Sequence, residues 1–149
     1  MTRLFRPKEY FRPTTIEEAV SLLEKYGKKA RPIAGGTDLL VEKASDVEYL
    51  VDITRLPLSY IERDRNSLGI KIGAVTTIRD IETCSLFEHV SLRTFSILAE
   101  TARKIGYVAT RNAATIGGNI CNAVPSADFP PPLIALDGKA SIAGPEGKR

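Results

Sequence analysis

Apolar residues at Ile16, Ala19, Val20 and Leu23 recur at i, i+3, i+4 and i+7, the period of a helix that buries one face. Thr15 precedes this stripe and Glu18 follows three residues on, the spacing of a capping box, while Gly27 stands where the helix should stop. The period then changes. Arg31-Pro32-Ile33-Ala34 reads as a short extended run, Gly35-Gly36-Thr37-Asp38 as a turn, Leu39-Leu40-Val41 as a brief helix and Tyr49-Leu50-Val51-Asp52-Ile53 as a second extended run. Leu68, Ile70 and Ile72 alternate with Gly69, Lys71 and Gly73, which predicts a half-buried strand, and Thr76-Thr77 caps a short helix through Ile78 and Ile81. Phe95, Leu98, Ala99, Ala102 and Ile105 mark the face of a longer helix that Gly106 ends. A second glycine pair, Gly117-Gly118, follows that helix end and is expected in a loop.

Beyond it, Pro125 and Pro130-Pro131-Pro132 are expected to enforce a loop, with roughly one helical turn at residues 133–136, a turn at Asp137-Gly138 and an extended run over residues 139–143. Gly144-Pro145-Glu146-Gly147 is a turn sequence followed only by Lys148 and Arg149, which predicts a hairpin cut short and an open strand edge completed from elsewhere.

A chain of 149 residues suits one domain or two small lobes. Its 21 lysines and arginines barely exceed its 18 aspartates and glutamates and form no block, which argues against a nucleic-acid partner. The nearest basic cluster, Arg3, Arg6, Lys8 and Arg12, is interrupted by Glu9 and reads as a solvated edge. No segment has the apolar run of a signal peptide or a bilayer span, so the expectation is a cytoplasmic protein with no membrane partner. Cys84, Cys121 and the lone His89 have no metal-ligand spacing, so no metal centre is expected from this chain's cysteines, and both read as free buried thiols.

Glycine pairs between regular elements admit positive φ and let backbone N–H groups approach a ligand with no Cβ in the way. Consecutive N–H groups suit a diphosphate, whose charge needs several donors once it leaves water. Thr37 and Thr115 add hydroxyls beside the two pairs, and Asn119 adds an amide. A plain tight turn is the commoner explanation of one such pair alone, two flanked pairs shift the balance toward a ligand, and neither fits the Walker or Rossmann pattern. The residues by themselves therefore point to a phosphate or nucleotide binder.

Several segments occur in one order: residues 5–13 (F-R-P-K-E-Y-F-R-P), 33–40 (I-A-G-G-T-D-L-L), 50–53 (L-V-D-I), 72–74 (I-G-A) and 111–120 (R-N-A-A-T-I-G-G-N-I), then Asn122-Ala123 and Pro125-Ser126-Ala127-Asp128. Together they resemble the FAD-binding medium subunit of molybdenum hydroxylases, the family of xanthine dehydrogenase and carbon monoxide dehydrogenase. The likeness covers nearly the whole chain, which corresponds to the N-terminal portion of such a subunit.

The resemblance implies an α+β fold of the p-cresol methylhydroxylase type, with two small lobes at residues 1–56 and 57–149, the second lacking its C-terminal part. It implies FAD, with the diphosphate between Ala34, Gly35, Gly36, Thr37 and Asp38 on one side and Thr115, Ile116, Gly117, Gly118 and Asn119 on the other. Asp128 is expected to accept hydrogen bonds from cofactor hydroxyls with Ser126 nearby, and Ile105 to pack on the adenine; the competing readings are a helix cap or a plain loop carboxylate for Asp128 and core packing for Ile105. No catalytic acid, base or nucleophile is expected, since the redox chemistry belongs to the cofactor. The implied partners are a large molybdenum-cofactor subunit, a small subunit with 2Fe-2S clusters, and a separate chain completing the second lobe. The implied role is to pass electrons from those clusters through FAD to an external acceptor, the alternative being a remnant or assembly subunit that keeps the fold without flavin.

Overall fold

The computed structural model describes residues 6–42, 46–65 and 67–149; Arg3 of the basic edge and Phe5 of the first resembling segment lie outside them. Two compact units divide the chain: the described residues up to Pro57 together with Ala140–Arg149, and Leu58–Lys139. Residues 140–149 thus group with the first unit, although the sequence division ran them on with the second lobe.

The first unit begins with β1 (Glu9–Phe11), α1 (Ile16–Tyr26), β2 (Ala30–Ile33), α2 (Leu39–Glu42) and β3 (Tyr49–Asp52). The strands form a parallel sheet in the order β1-β3-β2, with Leu50 paired to both Tyr10 and Arg31, and Ile33 opposite Asp52. Helix α1 connects β1 to β2, which lie on opposite sides of β3, and the crossover between the parallel neighbours β2 and β3 carries α2. Thr15 caps α1 as its spacing predicted, its hydroxyl accepting from the Glu18 N–H at 3.2 Å. The Glu18 carboxylate, however, reaches the N–H of Thr14 rather than that of Thr15. Ile33, Val47 and Leu50 are buried together with Leu39 packed against them, and the rings of Phe11, Tyr26 and Tyr49 stack with centroids 5.3 and 4.1 Å apart along the row. Strand β1 gives no periodic signal, because its apolar residues are flanked by charge and its pairing to β3 alone makes it a strand.

In the second unit, β4 (Ile61–Arg63) and β5 (Ile70–Ile72) pair antiparallel. Leu68, counted from sequence as part of that alternation, stands outside the strand and is exposed. Helices α3 (Ile78–Glu82), α4 (Ser96–Lys104), α5 (Val108–Ala113), α6 (Ile116–Cys121) and α7 (Pro130–Ala135) follow. Ile78, Ile81, Phe87, Leu98, Ala102 and Phe129 form the buried heart of this unit. Thr77 makes a full capping box with Asp80, as the threonine pair suggested.

Two local expectations are corrected here. The prolines 130–132 do not enforce a loop; they form the first turn of α7, where a missing N–H removes no helical bond and the fixed φ suits the helix. Gly117-Gly118 does not sit in a loop either, but in the first turn of α6 with Thr115 as its cap.

The chain returns to the first unit in the hairpin β6 (Ala143–Gly144) and β7 (Gly147–Lys148). The expectation of a hairpin cut short is therefore also corrected: Ile142 and Arg149 exchange both backbone hydrogen bonds, at 2.8 and 3.0 Å. A tight turn at residues 144–147 needs only this short return to close. Among the described residues no helix is long and apolar enough to cross a membrane.

Candidate functional site

In the first unit, the carboxyl ends of three parallel strands share one edge, where β1 runs into Arg12, β2 into Gly35-Gly36 and β3 into Thr54. Such an edge is where open α/β sheets take ligands. Gly36 has φ +67°, a conformation L residues rarely adopt, and an added Cβ would lie 3.0 Å from Leu40 Cδ1. The Gly36 and Asp38 carbonyls accept the first bonds of α2. By contrast, among the described residues the N–H groups of Gly36, Thr37, Asp38 and Leu39 donate to nothing, so the turn presents a run of unused donors. Ala34 to Thr37 are half-buried and Asp38 is exposed, which leaves these donors open to a ligand.

The same edge is braced by Asp52. Its Oδ1 accepts from the Thr54 hydroxyl at 2.6 Å and the Thr54 N–H at 2.9 Å, and its Oδ2 from the Tyr10 hydroxyl at 2.8 Å, with Arg12 Nε 3.6 Å away. Burial pushes this carboxyl up, but the Thr54 bonds, then Tyr10 and Arg12, outweigh it and hold Asp52 below the usual carboxylate range. Burial and the Asp52 partnership in turn raise Tyr10. One register step away, the Ile53 N–H donates to the Ile33 carbonyl at 3.0 Å, so the braced end of β3 also fixes the end of β2 where the glycine turn starts. A buried acid satisfied so fully is structural, a bracing role that its place in the extended run 49–53 did not disclose.

In the second unit, the segment at Thr115 is built differently from the first. The Ile116 N–H donates to the Thr76 carbonyl at 3.1 Å, that of Gly117 to Ala74 at 2.9 Å, that of Gly118 to the Thr115 hydroxyl at 3.1 Å and that of Asn119 to the Thr115 carbonyl at 3.0 Å. Its amides are thus consumed within the protein, and the expectation that both glycine pairs offer backbone donors is corrected for the second. Gly117 has a packing reason to be glycine, since a Cβ there would stand 2.6 Å from the Ala74 carbonyl oxygen. What remains for a ligand is the exposed, bare surface of Gly118 and the side chain of Asn119. Asn119 Oδ1 accepts from the Phe129 N–H at 3.2 Å, which leaves its NH2 group without an acceptor among the described residues and sets Asp128 beside the segment. Asp128 and Ser126 are exposed, and Asp128 does not cap α7, whose cap position is Phe129 with no side-chain bond.

Ile105 is half-buried against the core of the second unit at the end of α4. The turn it forms with Gly106 is held by Arg111, a buried arginine in an otherwise small and apolar stretch. Arg111 Nη1 donates to the carbonyls of Ile105 at 3.0 Å and Gly106 at 3.1 Å, and Nε to Glu82 Oε2 at 2.8 Å. Glu82 also takes Arg79 at 2.8 Å; that bond, opposed by burial and joined by Arg111, holds its carboxyl below the usual range. Two sequence signals pointed to it: its isolation as an arginine among Val108, Ala109, Thr110, Ala113 and Ala114, and its place at the head of the resembling segment 111–120.

Hollows of about 570 Å³ beside Arg63, Arg65 and Leu68, and of about 300 Å³ beside Cys84, Phe87 and Arg103, include no residue of either glycine segment. Among the described residues no three His, Cys, Asp or Glu side chains gather as a metal site.

Set against known proteins, residues 4–149 match the family described as "FAD binding domain in molybdopterin dehydrogenase". The carbon monoxide dehydrogenase medium chain of Hydrogenophaga pseudoflava is 34% identical over 144 residues, which cover 95% of this chain and 48% of that one. The xanthine dehydrogenase FAD-binding subunit of Escherichia coli O157:H7 is 32% identical over 150 residues, covering 98% and 49%. Among solved structures, carbon monoxide dehydrogenase from H. pseudoflava superposes with a TM-score of 0.86 at 33% identity over 99% of this chain and 50% of the other. Quinoline 2-oxidoreductase from Pseudomonas putida 86 gives 0.86 at 27% identity over 97% and 50%. The chain spans about half the length of the curated relatives it matches.

Proposed function

The chain belongs to the family of FAD-binding domains in molybdopterin dehydrogenases, and from this premise we propose that it holds FAD by the diphosphate and serves as the flavin component of a molybdenum-containing oxidoreductase. The observation that carries the reading is the run of undonated N–H groups from Gly36 to Leu39 at the carboxyl edge of a parallel sheet, a ready-made set of donors for phosphate oxygens. Ala34, Gly35, Gly36, Thr37 and Asp38 line that side, the Gly36 conformation aiming the turn and the Thr37 hydroxyl adding a donor. In the second unit Thr115 and Ile116 fix the first turn of α6, Gly117 seats it on Ala74, Gly118 gives close approach, and the Asn119 NH2, which has no acceptor among the described residues, donates to phosphate. Asp128 and Ser126 accept from cofactor hydroxyls, and Ile105 covers the adenine.

Bound FAD supplies two-electron and one-electron redox capacity, and the protein's part is binding and orientation. Relatives carry the names "medium chain" and "FAD-binding subunit", which describe parts of larger assemblies. On that footing the partners proposed here are a molybdenum-cofactor subunit that oxidises the substrate and an iron–sulfur subunit that delivers electrons, which leave through the flavin to an external acceptor. The proposed compartment is the cytoplasm, where thiols such as Cys84 and Cys121 stay reduced.

Titration of the flavin-free chain with FAD, followed by flavin fluorescence, tests the reading. It predicts one FAD per chain, competition by ADP, and a loss of at least about tenfold in affinity for Gly36→Val, whose side chain cannot adopt the turn. A folded chain that binds neither FAD nor ADP would overturn it and would favour a fold kept without flavin.

A further inference from the structure

We infer that Arg111 is a positioning residue for the adenine half of the cofactor, acting through the Ile105-Gly106 turn that its guanidinium holds. The inference rests on the reading above that Ile105 covers the adenine. Ile105 and Gly106 follow α4, and without a partner their carbonyls would be free to turn toward water. Arg111 Nη1 bonds both carbonyls, at 3.0 and 3.1 Å, while Nε is anchored 2.8 Å from Glu82 Oε2. The side chain is buried, with only 11% of it accessible, and that of its partner Glu82 is 12% accessible, so this is a fixed fork rather than a surface pair.

The anchor also reaches the phosphate side. Glu82 belongs to α3, whose cap Thr77 is bridged to Thr115; the Ile78 N–H donates to the Ala114 carbonyl at 2.8 Å, and the Ile116 N–H to the Thr76 carbonyl at 3.1 Å. Arg111 therefore ties the Ile105 turn to α3, whose cap is bridged to the Thr115 segment. Distance along that frame, rather than any contact between Arg111 and cofactor, is what the arginine would set. Lysine cannot reproduce this: it can keep the charge pair with Glu82 but lacks the planar fork that reaches two carbonyls as well.

The test compares FAD with FMN, which lacks the adenosine half, on the full chain and on Arg111→Lys, Arg111→Gln and Ile105→Ala. A variant that merely unfolds part of the population weakens both flavins by the same factor, because each affinity scales with the folded fraction. The proposal expects Arg111→Lys and Arg111→Gln to weaken FAD by about tenfold relative to FMN, and Ile105→Ala to shift the same ratio. An equal loss of both flavins, or no loss of either, in the arginine variants while Ile105→Ala shifts the ratio would overturn the role of Arg111 and leave the adenine reading standing. An unshifted ratio in Ile105→Ala would overturn the adenine reading itself, and the proposal with it.

Discussion

The two glycines of the second segment should respond in opposite ways to the same small change. In Gly117→Ala the new Cβ would lie 2.6 Å from the Ala74 oxygen and 3.0 Å from Ala74 Cβ. The carbonyl would have to retreat by roughly 0.7 Å to reach ordinary contact, which stretches the 2.9 Å bond it accepts from the Gly117 N–H past useful range. Losing that bond costs about 1 kcal/mol and the overpacking about 1–3 kcal/mol, against up to about 1 kcal/mol returned by alanine's helix propensity. A net loss of about 1–3 kcal/mol corresponds to a melting temperature lower by roughly 3–10 °C. In Gly118→Ala the nearest atom is Thr115 Oγ1 at 3.1 Å, the site is exposed, and φ is not positive, so propensity offsets the contact and melting should stay within about 2 °C. What Gly118→Ala removes is the bare surface toward the diphosphate, so its FAD affinity should fall by at least about tenfold. Thermal melts with and without excess FAD read both effects, since a ligand stabilises the native state by RT ln(1 + [L]/Kd) and a weaker Kd trims the rise in midpoint. An alanine at 117 that melts with the parent chain, or one at 118 that keeps the full FAD-induced rise, would refute the division of labour.

Asp52→Asn should lower stability by about 2–4 kcal/mol at neutral pH, because the Thr54 and Tyr10 donors lose a charged acceptor. With its folded pKa below the unfolded value of about 3.9, the carboxylate's contribution is complete above that value and disappears as pH falls through the folded pKa, so denaturant midpoints of the parent should drop in that acid window while those of Asp52→Asn change less. Asn119→Asp keeps the acceptor for the Phe129 N–H but removes the NH2 donor and adds charge, so it should weaken FAD by more than about tenfold with a nearly unchanged midpoint, whereas Asn119→Ala should also lose about 1–2 kcal/mol of stability in chemical denaturation. Asp128→Ala should weaken FAD and leave the midpoint unmoved, since the side chain is exposed and caps no helix.

Local patterns in the chain were enough for elements whose signals are local. The α1 stripe with its Thr15 cap, the cap at Thr77 and the Leu98, Ala99 and Ala102 face of α4 all follow from spacing within a few residues and form, although the box read at Thr15 and Glu18 closes on Thr14 instead and Phe95 and Ile105 flank α4. The order of the resembling segments was enough for the family, because motif order survives without knowledge of contacts. Spacing could not tell that two like-looking glycine pairs have unlike backbones. Whether an N–H is free depends on which acceptor lies across from it: the Ala74 and Thr76 carbonyls, about forty residues upstream, take the N–H groups of Gly117 and Ile116, while among the described residues no acceptor takes that of Gly36. The same long-range dependence hid β1, which exists through its pairing with β3, and Arg111, whose partners Glu82 and Ile105 come together only when α3, α4 and α5 pack. It also turned the three prolines from a presumed loop into a helix start, since a proline's effect depends on whether its missing N–H would have had a partner.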